Sequence, residues 1–280
     1  MKTLKLARAA AAVLALSAGL AQAAFVTQWN VVNDASFVPA SVTPGGNTFP
    51  SPVLSNSNRT LKWGIPFAPN TLQSGLNISP PGAGVLVDTG VLTSTVSVTH
   101  DNFPILLGTS LTSVDILANL TLQGVVPPGG APIAGSTTFS VKFLETPNAG
   151  DANGVCAAGG TSGSGINSAG CADIFVLADN ALNFPFLYDT DGAGGDDPLL
   201  YFVSFFADGF GTLSNAACSS AGAANGCRGF LTAENQSTTI DFKILITGQP
   251  FGVPEPGSIA LTGLALASLG FIGRRRKQQK

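Results

Sequence analysis

The sequence predicts an all-β fold, an antiparallel β-sandwich of jelly-roll or immunoglobulin-like kind, and three observations carry that reading. Apolar residues alternate with polar ones at period two, as where Leu92, Val96 and Val98 are interleaved with Thr93, Thr95 and Ser97. Turn formers punctuate such runs: the chain has 34 Gly and 18 Pro against one Met, a composition that suits strands and turns rather than helices. Four cysteines form two local pairs, each bracketing a loop of Gly, Ala, Ser and Asn with little to pack. Phe, Val, Leu and Ile recur in every strand-length run, which excludes a disordered body.

The elements follow in order. Residues 1–23 read as a signal peptide: Lys2, Lys5 and Arg8 give a basic start, 9–20 an apolar stretch, and Ala21-Gln22-Ala23 a small-x-small cleavage site. Such a leader hands the chain to the Sec export machinery. Strands are predicted at 25–32, 92–100, 111–122, 137–144, 173–177, 199–206 and 238–247, with a turn at Val126-Pro127-Pro128-Gly129-Gly130. Segments 39–52, 66–69 and 79–84 read as loop or edge material because proline interrupts them. Eight to ten strands are expected in all, with no internal helix. Neither a repeat nor a Pro/Ser linker divides 24–252, so the body is one domain.

Charge and cysteines bound the setting. Of 13 Lys and Arg only five lie in the body (Arg59, Lys62, Lys142, Arg228 and Lys243), against 15 of the 16 Asp and Glu, so the body carries about −10. An acidic domain with scattered cations has no electrostatic footprint for nucleic acid, which is excluded as a partner. In an exported chain an even cysteine count predicts disulfides, Cys156–Cys171 and Cys218–Cys227. Zinc is disfavoured, since neither spacing is that of a zinc motif and His100, the only histidine, is far away in sequence.

The C-terminal segment 253–280 is a motif, Val253-Pro254-Glu255-Pro256, then an uncharged apolar run, then Arg274-Arg275-Arg276-Lys277. Seventeen residues, 257–273, make a helix of roughly 25 Å, just short of a hydrocarbon core. The basic stop stays cytoplasmic, so the body lies across the inner membrane. This segment resembles the PEP-CTERM sorting signal of bacterial envelope proteins, which an exosortase recognises and removes.

A second resemblance covers the body. Thr99-His100-Asp101-Asn102, Leu61-Lys62-Trp63-Gly64, Gln73-Ser74-Gly75-Leu76, Phe143-Leu144-Glu145-Thr146-Pro147-Asn148, Cys171-Ala172-Asp173-Ile174-Phe175 and Gly229-Phe230-Leu231-Thr232-Ala233-Glu234-Asn235 stand in this order. Together with the tail they are similar to the THxN family of PEP-CTERM proteins, whose signature here is Thr99, His100 and Asn102. The resemblance implies export, exosortase processing and a cell-surface or extracellular-matrix destination, with exopolysaccharide a possible partner and no enzymatic activity.

Candidate chemistry is sparse. His100 continues the Val96 and Val98 face, so it is expected inside a strand end, ordering a turn with Thr99 and Asn102 bonded to nearby backbone. No G-x-S-x-G accompanies it. Asp189, Asp191, Asp196 and Asp197 lie within nine residues containing Gly192, Gly194 and Gly195 and are the candidate calcium ligands. The sequence favours a solvated hairpin loop there, because Leu200 stands where an EF-hand places Glu. Glu145 and Glu234 invite a glycosidase reading, but each sits in a context that suits a turn cap. Trp29 and Trp63 are read as packing rather than sugar-stacking residues. The expectation is therefore an exported, exosortase-processed, non-catalytic surface or matrix protein needing no cofactor, with calcium as the one candidate. A carbohydrate- or calcium-binding module is the alternative, and a secreted hydrolase ranks last.

Overall fold

A computed structural model of the chain describes residues 25–46, 51–177, 182–190 and 198–252. The first strands are β1 (Gln28–Phe37), β2 (Thr43–Gly45), β3 (Val53–Ser55), β4 (Thr60–Trp63) and β5 (Ser74–Ile78). Then come β6 (Val85–Asp88), β7 (Thr93–Asn102), β8 (Ser110–Val126), β9 (Ile133–Leu144) and β10 (Asp173–Leu177). The last are β11 (Phe184–Tyr188), β12 (Leu199–Ala207), β13 (Gly211–Thr212), β14 (Arg228–Thr232) and β15 (Gln236–Thr247). A short helix, α1 (Asn215–Ser220), precedes β14.

Two antiparallel sheets result. One runs β13-β14-β10-β9-β8-β1-β6, with β2 also on β8; the other runs β11-β12-β15-β7-β5-β4-β3. The alternation that predicts strands is what fills the space between them. On β8, Val114, Ile116, Ala118, Leu120 and Leu122 are buried. Its register with β9 is unbroken from Ser113↔Lys142 to Leu122↔Ile133. Along β7 the buried positions are Val96, Val98, His100 and Asn102. The apolar face thus continues as a polar one at the strand's end.

The interior has two halves, met in succession along the same strands. One is built on Phe37, Leu61, Trp63, Leu76, Val98, Leu111, Val141, Phe143 and Ile240. The other is built on Trp29, Val31, Leu122, Tyr188, Tyr201, Val203, Ile244 and Ile246. A small satellite of Ile174, Val176 and Ala217 packs α1 and the second cysteine loop against the sheet.

Both predicted disulfides are formed, Cys156–Cys171 and Cys218–Cys227, with Cα atoms 5.4 and 5.7 Å apart. The all-β architecture is as expected, yet its detail differs from the sequence reading. Among the described residues there are fifteen strands rather than eight to ten, because pieces of two to five residues pair stably on longer neighbours though too short for any period to show. β2 is a short strand paired only to β8 inside 39–52, the stretch expected to be loop or edge material. Helix α1 was not anticipated; Ser214 caps it by accepting from the Ala217 amide, and the disulfide closes its loop. Among the described residues no helix is long and apolar enough to cross a membrane. The predicted signal peptide 1–23 and the sorting segment 253–280, with Val253, Pro254, Glu255, Pro256 and Arg274–Lys277, lie outside the described residues.

Candidate functional site

Among the described residues, the polar end of the Trp63 half brings together His100, Asp173 and Glu234, all buried, with Glu145 beside them. β7 and β15 pair as His100↔Thr238 and Asn102↔Gln236, which fixes both signature side chains on the inner face of one sheet. In the opposite sheet β10 and β14 pair as Asp173↔Thr232. The chain crosses from β14 to β15 through Glu234 and Asn235, the latter at φ 59°. Asparagine tolerates that left-handed conformation better than most residues. Glu145 and Thr146 follow β9 directly, so two strand ends and one inter-sheet turn bring Glu145, Asp173 and Glu234 to the same place.

Aromatic rings wall the site. Trp63 stacks on His100 with ring centres 5.9 Å apart, and Phe143 meets both rings edge-on at 5.0 Å. The Trp63 indole N–H donates to Glu145 Oε2 at 3.4 Å, linking the two sheets. Asp173 Oδ1 accepts from the Thr146 amide at 2.9 Å, and Thr146 Oγ1 donates in turn to the Cys171 carbonyl at 2.9 Å. Asn102 Nδ2 donates to the Thr232 carbonyl at 3.0 Å.

Several atoms there have no partner in the protein: both His100 ring nitrogens, Asn102 Oδ1, Asp173 Oδ2, Thr232 Oγ1 and both Glu234 oxygens. His100 Nε2 lies 4.0 Å from Asp173 Oδ2, beyond hydrogen-bond length. Burial holds His100 far below its ordinary value, to about 3, despite the neighbouring Asp101 charge, so this contact involves a neutral imidazole and is not an ion pair. Burial pushes Glu145 up to about 8, with the Glu234 charge adding to it and the Trp63 N–H opposing it. Burial, and then Glu145, raises Asp173 well above the carboxylate range. Burial alone raises Glu234 to about 7. Asp101, on the outer face, goes the other way: partial burial works against it, but hydrogen bonds from Ser237 and Lys62 prevail.

The wall behind the acids is the first disulfide loop, 147–172. Its return segment is fully enclosed at Cys171 and Ala172. Gly170 is at φ 137° where a Cβ would stand 3.2 Å from Glu234 Cγ, so glycine lets the loop close on that side chain. Asn167 ties the loop internally, accepting from the Ala172 amide and donating to the Gly159 carbonyl.

Set against the sequence reading, His100 points inward as expected, but it orders no turn. Asn102 bonds Thr232, 130 positions away rather than nearby backbone, and Thr99 bonds Thr239 across the outer face. Glu234 is buried in the β14–β15 turn and Glu145 is half-buried with its carboxylate on the Trp63 indole; both act on Asp173, which the sequence marks only as part of a family motif. The available signal is position: an acid opening an otherwise apolar run (Asp173), and another ending one (Glu145). Trp29 and Trp63 are fully buried packing residues. Of the candidate calcium ligands, Asp189 follows β11 at the mouth of the expected hairpin, whose strands pair as Tyr188↔Leu199. Asp191, Asp196 and Asp197 lie outside the described residues. Among the described residues no group of three or more His, Cys, Asp or Glu side chains is placed to hold a metal ion. No protein-family model matches this chain, and no curated protein is similar to it.

Proposed function

We propose that this chain is an exported protein, processed at its C-terminus by an exosortase and held at the cell surface or in the extracellular matrix, with no catalytic activity. The observation that carries this reading is the pair of closed local disulfides, because such bonds form and persist in oxidising, extracytoplasmic compartments. Each staples a loop poor in packing residues, and closing the 15-residue interval is worth roughly 3 kcal/mol by loop entropy. The signal peptide at 1–23, the helix at 257–273 and the basic stop at Arg274–Lys277 supply the route: Sec export, transient anchoring in the inner membrane, and release. In this reading the body is a spacer or scaffold of jelly-roll or immunoglobulin-like kind, and exopolysaccharide is the partner it would meet. Its sole histidine is neutral and enclosed, where it meets no outside substrate.

Intact-mass analysis of the envelope form, from hosts with and without an exosortase, tests the route. The expected product has lost residues 274–280 only when the exosortase is present, and non-reducing peptide maps recover both local disulfides. A full C-terminus in the exosortase-positive host, or a cytoplasmic protein with free thiols, overturns the reading.

A further inference from the structure

The five cations of the body differ in their partners. Arg59 pairs with Asp34, Lys62 with Asp101 and Lys243 with Asp208. Among the described residues, Lys142 and Arg228 meet no acid. Lys142 Nζ donates to the Gly222 carbonyl, and Arg228 Nη2 to the Phe210 carbonyl at 3.4 Å. A single neutral acceptor leaves most donors of an ammonium or a guanidinium available to an anion.

Both cations open into one cleft of about 680 Å³, a size that suits a small organic ligand. Lys142 stands opposite Val176 and Arg228 opposite Leu177, the last two residues of β10, so the cations flank that strand's end from β9 and β14. The rest of the wall is largely phenylalanine. Phe139 and Phe205 are buried, Phe206, Phe210 and Phe242 half-buried and Phe251 exposed, which grades the lining from floor to mouth. Among the described residues no acidic side chain lines it.

Rings alone would suit any apolar molecule, and cations alone any anion; together they suit a molecule that is both. A sugar fits poorly, because Asn225 is the one uncharged polar side chain described in the lining and buried hydroxyls would be left unpaired. We propose that this cleft binds a single-chain anionic amphiphile, with an alkyl chain among the phenylalanines and a carboxylate or phosphate at Arg228 and Lys142. Guanidinium is the side chain best shaped for either head, which it meets with two parallel hydrogen bonds. The nearest source is a membrane. Phe251 lines the cleft, and the expected membrane helix starts at 257, six residues on and roughly 20 Å away at full extension. Only that source rests on the sorting reading; the cleft and its charges do not.

Equilibrium binding of labelled palmitate to the full chain in phosphatidylcholine nanodiscs, with empty discs subtracted, tests the site. The wild type should bind saturably at one site. Lys142→Gln/Arg228→Gln should weaken binding tenfold or more, and hexadecanol, with the chain but no charge, should bind the wild type at least tenfold less tightly than palmitate does. Arg59→Gln, which removes a cation outside the cleft, should change nothing. Phe251→Asp, on the exposed rim, should also weaken binding and is independent of the two cations. Palmitoyl-lysophosphatidylglycerol separates the sources: its displacing palmitate assigns a membrane lipid, and its failure to do so a free fatty acid. Absence of saturable binding overturns the proposal, as does equal affinity for palmitate and hexadecanol or an unchanged affinity in the double variant. Displacement of palmitate by an oligogalacturonate overturns it too, by making the cleft an acidic-glycan site. None of these results depends on whether the tail is processed.

Discussion

The two halves of the interior are each centred on a tryptophan, and they treat polar groups in opposite ways. Around Trp29 the rings of Tyr188, Tyr201 and Phe186 pack edge-on at 4.8 to 5.6 Å, and the polar tips are satisfied. Tyr188 Oη accepts from the Gly124 amide and donates to the Gly129 carbonyl; Tyr201 Oη accepts from the Val26 amide. Trp29 Nε1 donates to Thr89 Oγ1, which passes the chain on to the Val26 carbonyl. Around Trp63 the partners are acids and a histidine, and seven buried polar atoms lack a protein partner. Neutral hydroxyls paired with backbone make one half insensitive to its medium. The other half stores free energy that depends on protons.

The largest consequence is the pH profile of global stability. Glu145, Asp173 and Glu234 are raised in the folded state, so it binds protons that the unfolded chain releases at ordinary carboxylate values. Their contribution is complete below about pH 4.5 and is lost as pH climbs towards 8. His100 acts oppositely: its folded value is depressed to about 3, so stability falls as pH drops from 6.5 towards 3. Between pH 4.5 and 6.5 three acids oppose one histidine, and the acids win. Stability should therefore peak near pH 4.5 to 5 and decline by about 3 kcal/mol or more by pH 8. Urea melts across that range measure it. A broad maximum at pH 7 to 8 would mean that the acids are not buried as described.

Paired substitutions with intermediate effects sharpen the contrast. Tyr188→Phe deletes a hydroxyl serving two backbone groups, and Asn102→Ala deletes the donor to the Thr232 carbonyl. Each should cost about 1–3 kcal/mol, the penalty of a buried group left unpaired. The first cost should be the same at pH 5 and pH 8. The second should change with pH, because Asn102 borders the ionisable cluster. Denaturant midpoints at the two pH values compare them directly, and equal pH dependence would erase the distinction between the halves.

Much of the apolar frame was legible in the sequence, and most of the acidic site was not. The alternation at 92–100 places Val96, Val98 and His100 on one face, and the structure buries all three. The cysteine pairs were readable because each bond is local. What escaped was long-range: Glu145, Asp173 and Glu234 meet only because β9, β10 and the β14–β15 turn end at the same point of the sandwich. Nothing local to Glu145 reports that it ends under a loop rather than in water, and its Thr-Pro-Asn surroundings fit a surface cap equally well. Short strands such as β3 and β13 escaped for a related reason, since their stability comes from the neighbour they pair with.

The smallest expected effect is the one that separates the signature residues from each other. Thr99, His100 and Asn102 lie within one four-residue stretch of β7, but strand geometry sends them to different environments. His100 and Asn102 are enclosed, whereas Thr99 faces outward and meets Thr239 on β15 hydroxyl to hydroxyl at 2.8 Å. A cross-strand threonine pair on a half-solvated face contributes roughly 0.2–1 kcal/mol, and valine keeps the β-branched shape there. Thr99→Val should therefore shift stability by no more than about 0.5 kcal/mol, equally at pH 5 and pH 8. Chemical denaturation of this variant beside Asn102→Ala reads the difference. A loss as large as that of Asn102→Ala would show that the outer face of β7 carries a load its exposure does not suggest, and the division between inner and outer signature residues would have to be redrawn.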